Sequence, residues 1–313
     1  MILCRARRVK PRQISQATYN HHMNQANHET RRASDAERQA GALRIGCVSY
    51  LNARPLIDGL DDEQGLEVRT DVPARLLSDL ESGDVDIALC PVIDFFASDH
   101  ELALVPVGAI GCEGPTLTVR LYSQVPIGEI QTLHADTDSH TSVALAQVLL
   151  AKLFNVRPRI IDYDARERTA DGRIDESPQA MLLIGDKVVT GSPLAVQYPH
   201  QMDLGEGWHE LTGLPFVFAM WMTRVGIDLF DLPARLTARL DANLPQRLLI
   251  AERYAQQHGW PSDLAEHYLI DVLRYRVDRL ELEAIARFGR MVYELGLVPV
   301  ERPVRLYSQA DQP

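Results

Sequence analysis

The sequence predicts an α/β protein of two lobes, with two chain crossings between them and a C-terminal helical tail. Three observations predict it. From Leu43 to Pro91, short apolar runs alternate with an amphipathic stretch and a helix-start signal, the pattern of strands and helices wound on a parallel sheet. A second run of strands and one long apolar helix follows, ending near Trp221. Beyond Trp221 the apolar residues keep helical spacing only.

Leu43–Tyr50 is short and apolar, as a buried strand is. It runs into Leu51-Asn52-Ala53-Arg54-Pro55, where Asn is a good helix cap and Pro fits a first turn that lacks an acceptor for its missing N–H. Glu67–Val72 is the second strand. Pro73–Ser82 is a helix with Leu76, Leu77 and Leu80 on one side, and Gly83 stops it. Val85–Pro91, Leu102–Gly108 and Leu117–Tyr122 are further strands. Asp138-Ser139-His140-Thr141-Ser142 opens the apolar helix Val143–Phe154. Ile160–Tyr163, Ala180–Gly185 and Phe216–Trp221 complete the strands. Leu264, Tyr268, Val272 and Leu273 follow helical spacing. So do Leu282, Ile285, Phe288, Val292 and Leu295, with Gly296 as the stop. The crossings are placed near Ser123 and Trp221, so that residues 43–123 and 222–306 form lobe 1 and residues 124–221 form lobe 2. Residues 1–42 are polar and Arg-rich and are expected to be a disordered extension. No apolar segment of the signal-peptide kind follows their arginines, so a cytoplasmic protein is expected.

Composition narrows the function. A formal charge of −11 gives no broad basic field, so neither nucleic acid nor an anionic membrane is expected as a partner. An anion would have to be held by local donors such as helix N-termini. No apolar run reaches the roughly 18 residues of a membrane span. Cys4, Cys47, Cys90 and Cys112 form no Cys-x-x-Cys pair, and no histidine cluster has zinc spacing, so no metal is expected. The glycine patterns of dinucleotide- and nucleotide-binding loops are missing. Gly191-Ser192-Pro193 lacks the closing glycine of a nucleophile elbow.

Two helix starts remain, Ser49-Tyr50-Leu51-Asn52-Ala53-Arg54 and Asp138-Ser139-His140-Thr141-Ser142. Each offers free backbone N–H groups, polar side chains and the positive end of a helix dipole. One per lobe, they suit a ligand with two carboxylates. Cys90-Pro91-Val92-Ile93-Asp94 sits at a strand's carboxyl end and is a second candidate wall; its Asp94 equally suits a helix cap. Gly111-Cys112-Glu113-Gly114-Pro115-Thr116 is a turn, or a place of close backbone approach to a ligand. Asp186 ends a buried strand and is a candidate acid or base. His140, inside the second helix start, is the best placed of the histidines.

These residues carry a family resemblance. Ser49–Leu56, reading Ser-Tyr-Leu-Asn-Ala-Arg-Pro-Leu, resembles the opening motif of chorismate dehydratases, which begin the futalosine route to menaquinone. Asp84–Asp94, Gly114–Ser123, Ser139–Ser142, Leu183–Asp186 and Asp203–Trp221 agree in the same order, so the resemblance spans about Leu43 to Val300. It implies a type II periplasmic-binding-protein-like fold. It also implies elimination of water from the chorismate dianion to give 3-[(1-carboxyvinyl)oxy]benzoate, with no metal and no cofactor. By their places in these motifs, Asn52 is expected to touch the reacting region, and Ser139, Thr141 and Ser142, with Thr118, to bind anionic groups. Ser49, Tyr50, Arg54, Pro91, Val92, Thr116 and His140 are expected around the substrate. The base stays open between the substrate's own enolpyruvyl carboxylate, Asp186, Asp94 and His140. Many relatives have Ser where Val92 and Thr118 stand. A solute-binding protein for a small carboxylate is the alternative reading. The sister 1,4-dihydroxy-6-naphthoate synthase is another, though its Ser-Pro-Cys-Pro-Asn opening is absent.

Overall fold

The first sheet begins as the alternating pattern requires. In the computed structural model, which describes residues 42–136, 139–163 and 178–308, β1 (Leu43–Val48), β2 (Leu66–Asp71) and β3 (Ile87–Pro91) run parallel in the order β2-β1-β3. Residues 1–41, most of the expected extension, and Asp138 lie outside the described residues. The helix Pro73–Ser82 returns the chain from β2 to β3. Gly83 ends it at φ +87°, a left-handed conformation that only glycine adopts without cost.

After β3 the arrangement departs from the local pattern. β4 (Leu102–Cys112) stays with the first sheet. β5 (Val119–Ser123) leaves it, and pairs with β8 (Ala180–Ile184) and the edge strand β9 (His200–Asp203). β6 (Thr132–Asp136) and β7 (Arg159–Tyr163) complete a five-stranded second sheet in the order β7-β6-β8-β5-β9. β10 (Phe216–Arg224) returns to the first sheet and inserts antiparallel between β3 and β4, with Ala219 opposite Pro91 and Phe216 opposite Cys112. The two-residue strand β11 (Leu273–Arg274) closes that sheet against β4.

Both crossings therefore fall earlier than expected, at Glu113–Thr118 rather than Ser123, and at Leu204–Pro215 rather than Trp221. The cause is nonlocal. The apolar runs of β5 and β10 mark strands, but their partners are far along the chain. β6, β9 and β11, not anticipated, are short or carry polar residues such as His134, His200 and Gln201. Leu273, expected on a helix, is a strand residue for the same reason of pairing.

The tail packs on the first lobe. Trp208 of the crossing helix Leu204–Thr212 meets Phe216 of β10 and Phe288 of the last helix, Arg279–Glu294, at ring-centroid distances of 5.1 and 6.0 Å. Phe216 and Phe288 lie 5.2 Å apart, all edge to face. The last helix starts in a capping box of Asp278 and Glu281, and turns out at Gly296 with φ +71°.

One carboxylate ties the two crossings together. Buried Asp203 caps the helix Leu204–Thr212 by accepting from the Gly205 and Glu206 amides at 3.0 and 3.2 Å. It also accepts from the Thr116 and Leu117 amides of the other crossing, both at 2.9 Å. These bonds hold Leu117 at φ 64°, unusual for a branched residue. Gly205 is needed for the approach: a Cβ there would lie 2.5 Å from the Gly114 carbonyl oxygen and 2.6 Å from Cys112 Sγ.

Further contacts latch the lobes. His140 Nδ1 lies 2.8 Å from Asp94 Oδ1, and the Ile93 amide donates to Thr141 Oγ1 at 3.2 Å. Lys152 pairs with Glu294 at 2.8 Å. The hydrogen bond that His140 donates to the Asp94 carboxylate raises the His140 pKa above its ordinary value, and burial raises that of Asp94.

Asp203→Ala should strand several buried N–H groups and destabilise the protein by about 3 kcal/mol or more, read as a lower midpoint in urea. His140, with its raised pKa, contributes stability that is present below pH 6.5 and lost as pH rises through the folded value; protonation of Asp94 ends it on the acid side. The difference in melting temperature between the protein and its His140→Gln variant should therefore peak near pH 6 and shrink toward pH 9.

Candidate active site

The cleft between the sheets is built first by β1 and its exit. Leu51 and Ala53 are fully buried, which pins the tight turn Leu51–Ala53 and leaves Tyr50 and Asn52 on the cleft side. Pro91 at the end of β3 and Ala219 of β10 line the same space. From the crossing come Thr116 and Thr118, both buried. From the second lobe come Ser139 and Ser142, at the start of the helix His140–Phe154, and Gly185 after β8. Val48, Leu89, Ile110, Val119, Ile184 and Phe218 supply apolar walls. The cavity has a volume of about 70 Å³ and opens to solvent at its mouth.

Among the described residues, no Lys, Arg or His lines this space. Its polarity comes from hydroxyls, one amide and a helix start. Ser139 caps that helix, accepting from the Ser142 amide at 3.3 Å and donating to Ser142 Oγ at 2.8 Å. The first-turn amides of His140 and Thr141 have no acceptor within the helix, as in any helix start. An anion here would meet aligned N–H and O–H dipoles.

The same cavity is lined by a side chain that the sequence did not flag. Tyr268, in the wide turn Tyr268–Val272 that follows the helix Ser262–His267, lines the cavity and is almost wholly buried. Its hydroxyl lies 2.8 Å from Thr118 Oγ1, within hydrogen-bond reach. Burial pushes its pKa far up, so it stays an O–H. In the sequence Tyr268 reads as one more apolar position on a helix, and only the long-range packing distinguishes it.

Seven expected residues line the cavity: Tyr50, Asn52, Pro91, Thr116, Thr118, Ser139 and Ser142. The others do not. Asp186 is turned to the tail, where its two oxygens accept from Trp260 Nε1 at 2.7 Å and meet His258 Nδ1 at 3.0 Å. His140 is held by Asp94, and the Thr141 hydroxyl accepts from the Ile93 amide, so both bridge the lobes instead. Val92 is fully buried in the core, Ser49 is exposed, and Arg54 lies 4.4 Å above the Tyr254 ring. Residues adjacent in sequence at a helix start point in different directions, so only some of them line the cavity. Among the described residues no cluster of His, Cys, Asp or Glu is arranged to hold a metal, and no helix is long and apolar enough to cross a membrane.

Solved structures share this architecture. Protein AF1704 from Archaeoglobus fulgidus superposes with a TM-score of 0.63 at 13% identity, covering 83% of this chain and 99% of its own. The alkanesulfonate-binding protein SsuA from Xanthomonas axonopodis pv. citri gives 0.61 at 17% identity, with 84% and 96% covered. At such identities the likeness is one of fold, the type II periplasmic-binding-protein-like fold. In sequence, the chorismate dehydratase of Thermus thermophilus is 30% identical over 260 residues, 77% of this chain and 93% of that protein. The chorismate dehydratase of Campylobacter jejuni is 26% identical over 250 residues, 79% and 92%. Residues 43–294, which contain both sheets and the cleft between them, match the family model for menaquinone biosynthesis, and the chain belongs to that family.

Proposed function

We propose that this chain is a chorismate dehydratase, eliminating water from chorismate to give 3-[(1-carboxyvinyl)oxy]benzoate in menaquinone biosynthesis by the futalosine route. The observation that carries the reading is the cleft itself: Asn52 on one side, an open helix start on the other, apolar walls between. Similarity to relatives of that name over most of the chain supports it. The cytoplasm is the compartment we assign, in keeping with the free buried thiols Cys47, Cys90 and Cys112.

The hydrogen on C3 of chorismate is vinylogous to the ring carboxylate, and the hydroxyl leaves from C4. The product is aromatic, so the substrate supplies the driving force. The residues must bind the dianion, orient it and stabilise charge moving onto the ring carboxylate. The helix start at Ser139–Ser142 suits a carboxylate, and Asn52 suits the reacting edge of the ring. Asp186, Asp94 and His140 all have partners and do not line the cavity. This favours the substrate's own enolpyruvyl carboxylate as the base. It takes the C3 proton as the C4 hydroxyl leaves, and proton and hydroxide together make the water released.

Purified protein incubated with chorismate alone should yield an aromatic product one water lighter, identified by chromatography with mass detection. Unchanged chorismate that nevertheless raises the melting temperature would replace the reading with a pure binding role. Asn52→Ala should keep the fold and lose about tenfold or more in kcat. Ser142→Ala should raise KM about tenfold or more, because a hydrogen bond to a charged group contributes about 1.5–3 kcal/mol.

A further inference from the structure

We propose that the hydroxyls of Tyr268 and Thr118 form a second anion-binding position in the cleft. It takes one carboxylate of a dianionic ligand while the helix start at Ser139–Ser142 takes the other. Both side chains line the cavity, and both are almost wholly buried. Their oxygens lie 2.8 Å apart, and either can be the donor. The number of protons left over is the same in both cases. Two hydroxyls carry two protons, and the contact between them uses one. For the other, the Thr116 carbonyl is a poor acceptor. It lies 3.5 Å from Thr118 Oγ1, long for an O–H···O bond, and it already accepts from the Thr118 amide at 2.8 Å. One O–H therefore stays available to whatever enters the cavity. Burial pushes the tyrosine pKa far up, so the pair keeps both protons and acts as a neutral donor. A buried O–H without a strong acceptor is costly, and a ligand carboxylate supplies one.

The tyrosine oxygen is not needed for packing. The ring stacks on Trp260, with centroids 4.8 Å apart and planes at 23°, and a phenylalanine would make the same stack. The ring is presented by the wide turn Tyr268–Val272, a form of helix that recurs at functional sites. Arg247 braces that turn. Its Nη1 donates to the Leu269 and Ile270 carbonyls at 3.3 and 3.0 Å, and its Nε to the Leu244 carbonyl at 2.8 Å. Thr118 is held as well, by the Gly185 amide, which donates to its carbonyl at 2.8 Å. Tyr268 belongs to the tail on the first lobe and Thr118 to the first crossing, whereas Ser139 and Ser142 belong to the second lobe. The two anion positions thus come from different parts of the chain and suit two ends of one ligand.

The identity of that ligand rests on the dehydratase reading. The chorismate dianion has two carboxylates, and the described residues around the cavity include no cation to neutralise the second. A helix start meets one of them. The hydroxyl pair meets the other, with no bond made or broken in the protein.

Calorimetric titration with two stable probes tests this: 3-(carboxymethoxy)benzoate, which has two carboxylates, and 3-ethoxybenzoate, which has one. The unmodified protein should bind the dicarboxylate about tenfold or more tighter, since a hydrogen bond to a charged group is among the strong ones. Tyr268→Phe leaves one O–H of the pair, and Tyr268→Phe combined with Thr118→Val leaves none. Affinity for the dicarboxylate should fall about threefold in the single variant and about tenfold or more in the double. Affinity for 3-ethoxybenzoate should change less than about twofold in both, because its one carboxylate takes the helix start. Equal losses for the two probes, no loss in the double variant, or no preference for the dicarboxylate in the unmodified protein would overturn the proposal. Should the double variant fail to fold, judged by its melting temperature, Tyr268→Phe and Thr118→Val decide singly, each by a loss of about threefold confined to the dicarboxylate. If the unmodified protein leaves chorismate untouched, the dehydratase reading falls, and the two probes still decide the anion position.

Discussion

The bonds to the Asp203 carboxylate are what the rest of the site depends on. A buried charge is costly unless its lone pairs are filled, and here four backbone amides fill them, with Arg120 3.7 Å away. Two amides belong to the first crossing and two to the helix that leads into the second. The carboxylate therefore joins segments that are nearly ninety residues apart in the chain, as the Thr116–Asp203 separation of 87 shows. It also holds Leu117 in a left-handed conformation, and the reversal brings both Thr116 and Thr118 to the cleft. Without it, the hydroxyl that Tyr268 needs has no fixed position.

Among the described residues the cleft is lined by dipoles and not by cations. For a protein of net charge −11, a dianion is drawn in by no overall field, so recognition rests on oriented dipoles at short range. A helix start and hydroxyls that cap one another cost little reorganisation when charge shifts in the ring. The lobes around it meet through a few polar contacts, His140 with Asp94, Thr141 with Ile93, Asp186 with Trp260 and His258. Residues that looked like acids and bases in the sequence have become its fastenings.

Much of the local structure was legible. The helix Pro73–Ser82 has the bounds its proline, leucines and glycine demand, and the strands up to β5, with β7, β8 and β10, lie where the apolar runs put them. The Ser139 cap and the turn at Asn52 were legible as helix starts, and both reach the cavity. At the level of single side chains the reading weakened. Within Ser139–Ser142, two residues face the cleft and two face the other lobe. Spacing identifies a helix start, but which of its side chains meets ligand depends on what packs beside it.

The sequence by itself determined most of the elements, their helical and strand periods, the two-lobed class and the family motifs, because these follow from neighbours within a few residues. Tertiary structure alone decided which sheet β5 and β10 join, that Asp186 clasps Trp260 and His258, and that Tyr268 reaches Thr118. Those are pairings between distant residues. Strand edges and buried polar groups accept any partner of the right shape and polarity, so the choice is made only when the whole chain has packed.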